Sequence, residues 1–255
     1  MSVPELRAEG LTRRFGGLTA VAGISLTLAR GEILSVVGPN GAGKTTLLNL
    51  ITGVLPAEAG AVWLRERLIT GLTPDTIARA GVVRTFQQPR LFRSMTVLEN
   101  CMAGAFRHAR CSLLAGALGL PSSRQASRRA RALAESCLRR VGLEHAADLQ
   151  ADVLTTGQQR LLEVARALSA RPTVLLLDEP AAGLDDDETA RLGALIRSVC
   201  DEGYAVLLIE HDMHLVMGIS DRVLVMNEGR PVTTGTPEQV RHHPDVIACY
   251  LGEAA

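Results

Sequence analysis

The sequence predicts an α/β fold built on a parallel β-sheet, and three observations predict it. Apolar runs at Glu32–Val37, Thr173–Leu177 and Ala205–Ile209 read as strands buried on both faces. The first of them runs into a glycine-rich turn, Gly38–Thr45, and then into a helical pattern from Thr46 to Ile51. The other two end in Asp178-Glu179 and Glu210-His211, at the strand ends where open α/β sheets bind ligands.

Composition bounds the reading. At 255 residues the chain makes one large domain or two small ones, and 47% hydrophobic with 21% charged residues is a globular composition. A net charge of zero points away from nucleic acid as a partner. MSVPELRAEG lacks a basic-then-apolar targeting segment. The apolar stretch around Leu113–Leu120 is far short of the roughly 20 residues a membrane span needs. Five scattered cysteines without a CxxC fit a reducing cytoplasm and packing roles. His211 and His214 are three apart and His242-His243 adjacent, but no further ligand has metal-site spacing.

Along the chain, residues 3–30 alternate as antiparallel strands, with Val21, Ile24, Leu26 and Leu28 on one face. Arg13–Gly17 reads as a turn carrying Phe15, either a platform for adenine stacking or a core phenylalanine. Gly38-Pro39-Asn40-Gly41-Ala42-Gly43-Lys44-Thr45 has the spacing of a phosphate-binding loop. Lys44 is the only lysine, and arginine supplies the other 26 basic side chains. A compact ammonium on a thin stem reaches β- and γ-phosphates where a planar guanidinium does not fit. Glycines turn the amides inward, Thr45 places a hydroxyl for Mg²⁺, and the helix N-terminus adds positive potential.

Gly60–Leu64 reads as a strand, 75–80 as a short helix, and Gly81–Phe86 as a strand that leaves Gln87 at its end before Pro89. Gln87 there is either a Mg²⁺ and water ligand or a surface glutamine. Thr96-Val-Leu-Glu99 forms a capping box, opening a helical stretch to Arg140. Its Ser122–Arg140 part is rich in arginine, a solvated face or one near anionic lipid. Leu113–Leu120 is the core of a helical hairpin or a contact surface. Thr155-Thr156-Gly157-Gln158 opens a further helix, an ordinary N-cap or a second anion site. Asp178 can hold Mg²⁺ through water, and Glu179, pointing to the opposite side of the strand, can face an attacking water. His211 can hydrogen-bond a γ-phosphate. Val223–Met226 and Val232–Thr234 make a hairpin, and Thr236-Pro237 starts a terminal helix.

Taken in order, FGGLTAV, GPNGAGKTTL, RTFQQPRLF, MTVLEN, GQQRLLEVARAL, VLLLDEPAAGLD, IEHDM and GTPEQV resemble the ATP-binding subunits of ABC transporters. Within that family they are similar to the LivG-type ATPases of bacterial branched-chain amino-acid importers. The resemblance spans the whole chain and implies a P-loop NTPase (RecA-like) core with an antiparallel β subdomain, about 1–87 and 166–235. It implies an inserted α-helical subdomain, about 88–165, that docks a membrane permease, and a C-terminal helix, about 236–255.

It implies adenine and ribose contacts from Phe15 and Val21, phosphate contacts from Gly38–Thr46, and a glutamine lid at Gln87. Asp178 would orient Mg²⁺, Glu179 act as general base, and His211 act as the switch histidine. It further implies a head-to-tail dimer, with itself or a paralogue, in which Thr155, Gly157 and Gln158 of one subunit close over the other's ATP. A solute-binding protein would act indirectly, and the chain would sit on the cytoplasmic face of the plasma membrane. Related alternatives are an importer of urea, amides or other small solutes, and a non-transport ATPase. Two departures stand out: LTTGQ replaces the usual LSGGQ, and Asp185-Asp186-Asp187 is unusually acidic.

Overall fold

Alternating apolar residues in the first thirty positions produce the expected antiparallel pair, β1 (Leu6–Phe15) and β2 (Leu18–Leu28), joined at Gly16-Gly17. The structure is a computed structural model that describes residues 3–88, 90–105 and 121–251. The chain divides into two units, one of Met1–Arg84, Thr173–Glu179 and Ile196–Ala255, the other of Thr85–Pro172 and Pro180–Leu195.

In the first unit, β4 (Ala59–Leu64) and the short β5 (Arg67–Leu68) complete a sheet of order β2-β1-β4-β5. A second sheet has the order β10-β9-β3-β8-β7-β6. Its strands β3 (Ile33–Val37), β6 (Val82–Arg84), β7 (Val174–Asp178), β8 (Ala205–Ile209) and β9 (Arg222–Asn227) run parallel. β10 (Arg230–Gly235) pairs antiparallel with β9 through the Glu228-Gly229 turn. β3, β7 and β8 are buried along their whole length, as their apolar sequences require.

Helix Lys44–Ile51 contributes Leu47, Leu48 and Ile51 to one core shared with Leu6, Leu11, Ile24 and Leu28 from the antiparallel sheet and Leu34, Leu176 and Leu207 from the parallel one. Each such side chain withdrawn from water contributes about 1.5–3 kcal/mol. Parallel pairing Asp178↔Ile209 and Val36↔Ile209 brings the carboxyl ends of β3, β7 and β8 to one edge.

The second unit is helical. Helices Val97–Ala105, Pro121–Arg140 and Thr156–Ser169 pack together. Gly104 permits a close approach of Val97–Ala105 to Thr156–Ser169, because a Cβ there would lie 2.1 Å from the Arg166 carbonyl oxygen. The Thr96–Glu99 capping box forms, with reciprocal bonds of 2.8 and 3.1 Å. Ala130, Ala134, Cys137 and Leu138 face inward while Arg128, Arg129, Arg131 and Arg139 are exposed, the solvated-face pattern. Hydrogen bonding to Cys137, then burial, holds the Cys101 thiol far above its usual range, so it is inert packing.

Helix Thr156–Ser169 is unbroken across 165/166, and the chain passes between the two units at Arg84/Thr85, Pro172/Thr173, Glu179/Pro180 and Leu195/Ile196. Pro244 splits the terminal helix into Pro237–Arg241 and Pro244–Leu251, since its ring and missing N–H end the preceding turn. The apolar Leu113–Leu120 lies outside the described residues, as does Pro89.

Candidate active site

The glycine loop is held by backbone contacts that tolerate no side chain. A Cβ on Gly38 would lie 2.0 Å from the Met226 carbonyl oxygen, and one on Gly43 would lie 2.2 Å from that of Ala20. Gly43 also takes φ 94° at the helix N-cap, a conformation L side chains resist. Helix Lys44–Ile51 starts there, so the N–H groups of Lys44, Thr45 and Thr46 have no intrahelical acceptor and point toward the loop. Lys44, only 6% exposed as a residue, donates through its ammonium to the carbonyls of Gly38 (2.6 Å) and Pro39 (2.9 Å). It therefore lies folded across the loop it was expected to serve. Asn40, Gly41 and Thr45 are exposed, Thr46 is half-buried, and Pro39 and Ala42 are buried.

At the same sheet edge Asp178 ends β7 and is 1% exposed. Arg84 donates to its carboxylate at 2.7 Å and to the Asn49 side-chain oxygen at 2.6 Å. That ties the metal candidate to the helix that follows the loop. Sequence reading missed Arg84, whose only signal is a charge at the end of an apolar strand.

Glu179 comes next with φ 49°, a left-handed backbone rare for a non-glycine residue and concentrated at functional turns. The separation of the two acids thus comes from a sharp turn, and the pleat alternation expected of a continuing strand does not apply. The turn sets Glu179 Oε1 2.9 Å from His211 Nε2, with the carboxylate side chain 15% and the imidazole 45% exposed. Asp212 then caps helix Met213–Ile219 by accepting from the His214 and Leu215 amides, which fixes the segment after His211.

Phe15 closes β1, paired with Leu18, and is 45% exposed under the Arg13 guanidinium, so it is no core residue. Val21 is fully buried and offers a ligand no side-chain surface in this structure. It packs beneath the antiparallel sheet.

β6 of the first unit stops at Arg84, so Gln87, in the helical unit, stands in a loop, exposed, and does not end a strand. Thr155 caps helix Thr156–Ser169 in a reciprocal capping box, its hydroxyl accepting from the Gln158 amide (3.2 Å) and its amide donating to the Gln158 side chain (3.0 Å). Gly157 is buried, and a Cβ there would meet Leu184 Cδ2 at 2.9 Å and Glu188 Oε2 at 3.1 Å. Glu188 in turn caps Asp185, giving the acidic run a first structural duty.

The donor set suits a nucleotide with a hard cation. Among the described residues no three His, Cys, Asp or Glu side chains gather as a metal cage. A glycine cradle with a buried ammonium, one hydroxyl (Thr45) and one carboxylate (Asp178) fits Mg²⁺ held largely by phosphate oxygens and water.

Comparison with known proteins agrees. The family model described as ABC transporter matches residues 21–182, and that of the branched-chain amino acid ATP-binding cassette transporter matches 230–255. The chain is 50% identical to the high-affinity branched-chain amino acid transport ATP-binding protein LivG of Salmonella typhimurium, over 100% of both chains. It is 49% identical to BraF of Pseudomonas aeruginosa, also over 100% of both. Among solved structures, a nucleotide-free ATP-binding cassette from an ABC transporter superposes with TM-score 0.84 at 31% identity, covering 97% of this chain and 98% of that one. The ADP conformation of MJ1267, an ATP-binding cassette of an ABC transporter, gives 0.84 and 31%, covering 98% and 100%. The chain belongs to the ABC transporter family, among its ATP-binding proteins.

Proposed function

We propose that this chain is the ATP-hydrolysing subunit of an importer of branched-chain amino acids, acting as a head-to-tail dimer, with itself or a paralogue, around two Mg-ATP. The observation that carries the chemistry is the Glu179–His211 contact of 2.9 Å at the sheet edge that also bears the Lys44 loop. Substrate class rests on the names of the full-length relatives and on the matched C-terminal family model.

In this reading Lys44 leaves the carbonyls of Gly38 and Pro39 for the β- and γ-phosphates, and the amides of residues 38–46 bind phosphate oxygens. Phe15 stacks adenine. Mg²⁺, when bound, would supply neutralisation of phosphate charge. Thr45 and Asp178 would hold it, Arg84 keeping Asp178 aimed, with Gln87 as a further ligand. Glu179 accepts the proton of the attacking water, and His211 orients Glu179 and senses the γ-phosphate. Thr155, Gly157 and Gln158 act on the nucleotide of the other subunit.

A membrane permease is the partner, with a solute-binding protein acting through it, and the chain is peripheral on the cytoplasmic face. No helix among the described residues is long and apolar enough to cross a membrane. Exposed apolar side chains on the helical unit support docking there: Phe92, Met95 and Leu149 are 51%, 41% and 50% exposed. Backbone bonds from Met95 to Phe92 and from Val97 to Leu149 hold these segments side by side.

Glu179→Gln should bind ATP and trap the dimer while kcat falls by about 10²–10⁴, the scale of a lost general base. Undiminished hydrolysis in that variant would remove Glu179 from the chemistry. With permease and binding protein reconstituted in vesicles, ATP should drive leucine uptake, and uptake of urea or amides in its place overturns the solute assignment.

A further inference from the structure

Helix Thr156–Ser169 buries an acid that the reaction above does not use. Glu163 lies beside Leu162 and Val164 in the inward stripe and is 3% exposed. An ionised carboxylate there needs partners, and their identity is informative. Its Oε1 accepts from the Phe86 amide (3.3 Å) and the Arg90 amide (3.4 Å), the two residues that bracket Gln87 and Gln88. Arg166, one turn along the same helix, lies 3.4 Å from the same oxygen and also donates to the Arg90 carbonyl. The Arg90 guanidinium closes the loop from outside, 4.6 Å over the Phe86 ring. Gln87 and Gln88 are left exposed between the pinned ends.

Both ionisable groups register the cost of this arrangement. Burial pushes the Glu163 carboxyl above the usual carboxylate range, against the pull of Arg166 and the two amides. Burial likewise lowers Arg166, against the pull of Glu163. A leucine in this stripe would pack without that penalty, so packing alone gives no reason for the pair. Holding two loop amides does.

We propose that Glu163, braced by Arg166, is a positioning residue that pins the two ends of the glutamine loop and so fixes where Gln87 is presented. The proposal rests on Gln87 acting in hydrolysis, as read above. Loss of the pin frees the loop without touching the nucleotide-gripping residues, so it acts on turnover more than on ATP binding.

The test is steady-state ATPase kinetics of the full chain carrying Glu163→Ala, Glu163→Met, Glu163→Gln, Gln87→Ala, and Gln87→Ala combined with each of the first two. Glu163→Ala should lower kcat about tenfold, the scale of two hydrogen bonds lost, with KM for ATP unchanged. Glu163→Gln keeps an acceptor oxygen and should recover most of kcat. In the Gln87→Ala background, Glu163→Ala should lower kcat no further, because it acts through a side chain already removed. Should Glu163→Ala not fold, Glu163→Met keeps the volume, lacks the strong acceptor and carries the same expectation. A fall in kcat for Gln87→Ala with wild-type kcat in the Glu163 variants overturns the pin alone. Equal falls with and without Gln87 also overturn it, marking a general structural role. Wild-type kcat in Gln87→Ala overturns the Gln87 reading and the proposal with it.

Discussion

The loop that carries Lys44 and the helix start that carries Thr155 are both amide-rich anion sites in principle, yet they are built in opposite ways. Around Lys44 the chain commits buried charge and unusual backbone: a lysine only 6% exposed, glycines against carbonyl oxygens, the Arg84–Asp178 pair, and Glu179 at φ 49°. Around Thr155 the polar groups satisfy one another through a capping box at an exposed surface. The first arrangement fixes the backbone of its loop through contacts that no ligand has to break, and only the Lys44 ammonium must trade the Gly38 and Pro39 carbonyls for a ligand. The second is a stable helix end whose cap itself must give up or share its bonds to bind anything.

Arg84→Leu should strike the first arrangement hardest. It leaves the buried Asp178 carboxylate without its 2.7 Å partner, and thermal or urea unfolding should show a loss of about 3–5 kcal/mol. Wild-type stability in that variant would mean that the pair is no more than neutral.

Lys44→Arg comes next. The wider guanidinium keeps its charge but does not fit between the Gly38 and Pro39 carbonyls, so ATP affinity should fall about a hundredfold, the loss of a strong charge-assisted bond. Retained affinity by fluorescent-nucleotide titration would show that charge alone suffices.

In the helical unit, Gly157→Ala should cost about 1–3 kcal/mol through the clash with Leu184 and Glu188. Thr155→Ala should cost about 1 kcal/mol as a lost N-cap, whereas Thr155→Ser should change stability by only a few tenths. If Thr155→Ala instead removes ATPase activity without altering the melting temperature, the hydroxyl serves the nucleotide more than its own helix.

Much of this was legible in the sequence because it is local. The strand, glycine loop and helix at residues 33–51, the Thr96–Glu99 capping box, the Thr155 helix start, and the buried strands β7 and β8 follow from neighbouring residues and period. What escaped is long-range or conformational. Arg84 and Asp178 are 94 residues apart, and no local pattern links a strand arginine to that acid. Glu163 occupies an apolar stripe whose spacing is helical whatever fills it, so its partners at Phe86 and Arg90 are visible only in three dimensions. The left-handed turn at Glu179 is imposed where a strand ends at a binding edge, against the residue's own preference. Val21 is a further case: its place in a motif implied ligand contact, and its burial in the antiparallel sheet is likewise visible only in three dimensions.

The contacts that forbid side chains at Gly38 and Gly43 come from the carbonyl oxygens of Met226 and Ala20, atoms that every amino acid possesses. Gly229 joins the same junction, donating to the Ala42 carbonyl and accepting from the Ala22 amide. The tolerance to substitution is therefore one-sided. Each glycine is irreplaceable, while the residues opposite can change identity and leave the loop undisturbed, provided the backbone path of β2 and β9 is kept. Sequence variation at positions 20 and 226 is consequently compatible with an unaltered phosphate cradle, whereas at 38 and 43 the demand for glycine is one of shape before it is one of chemistry.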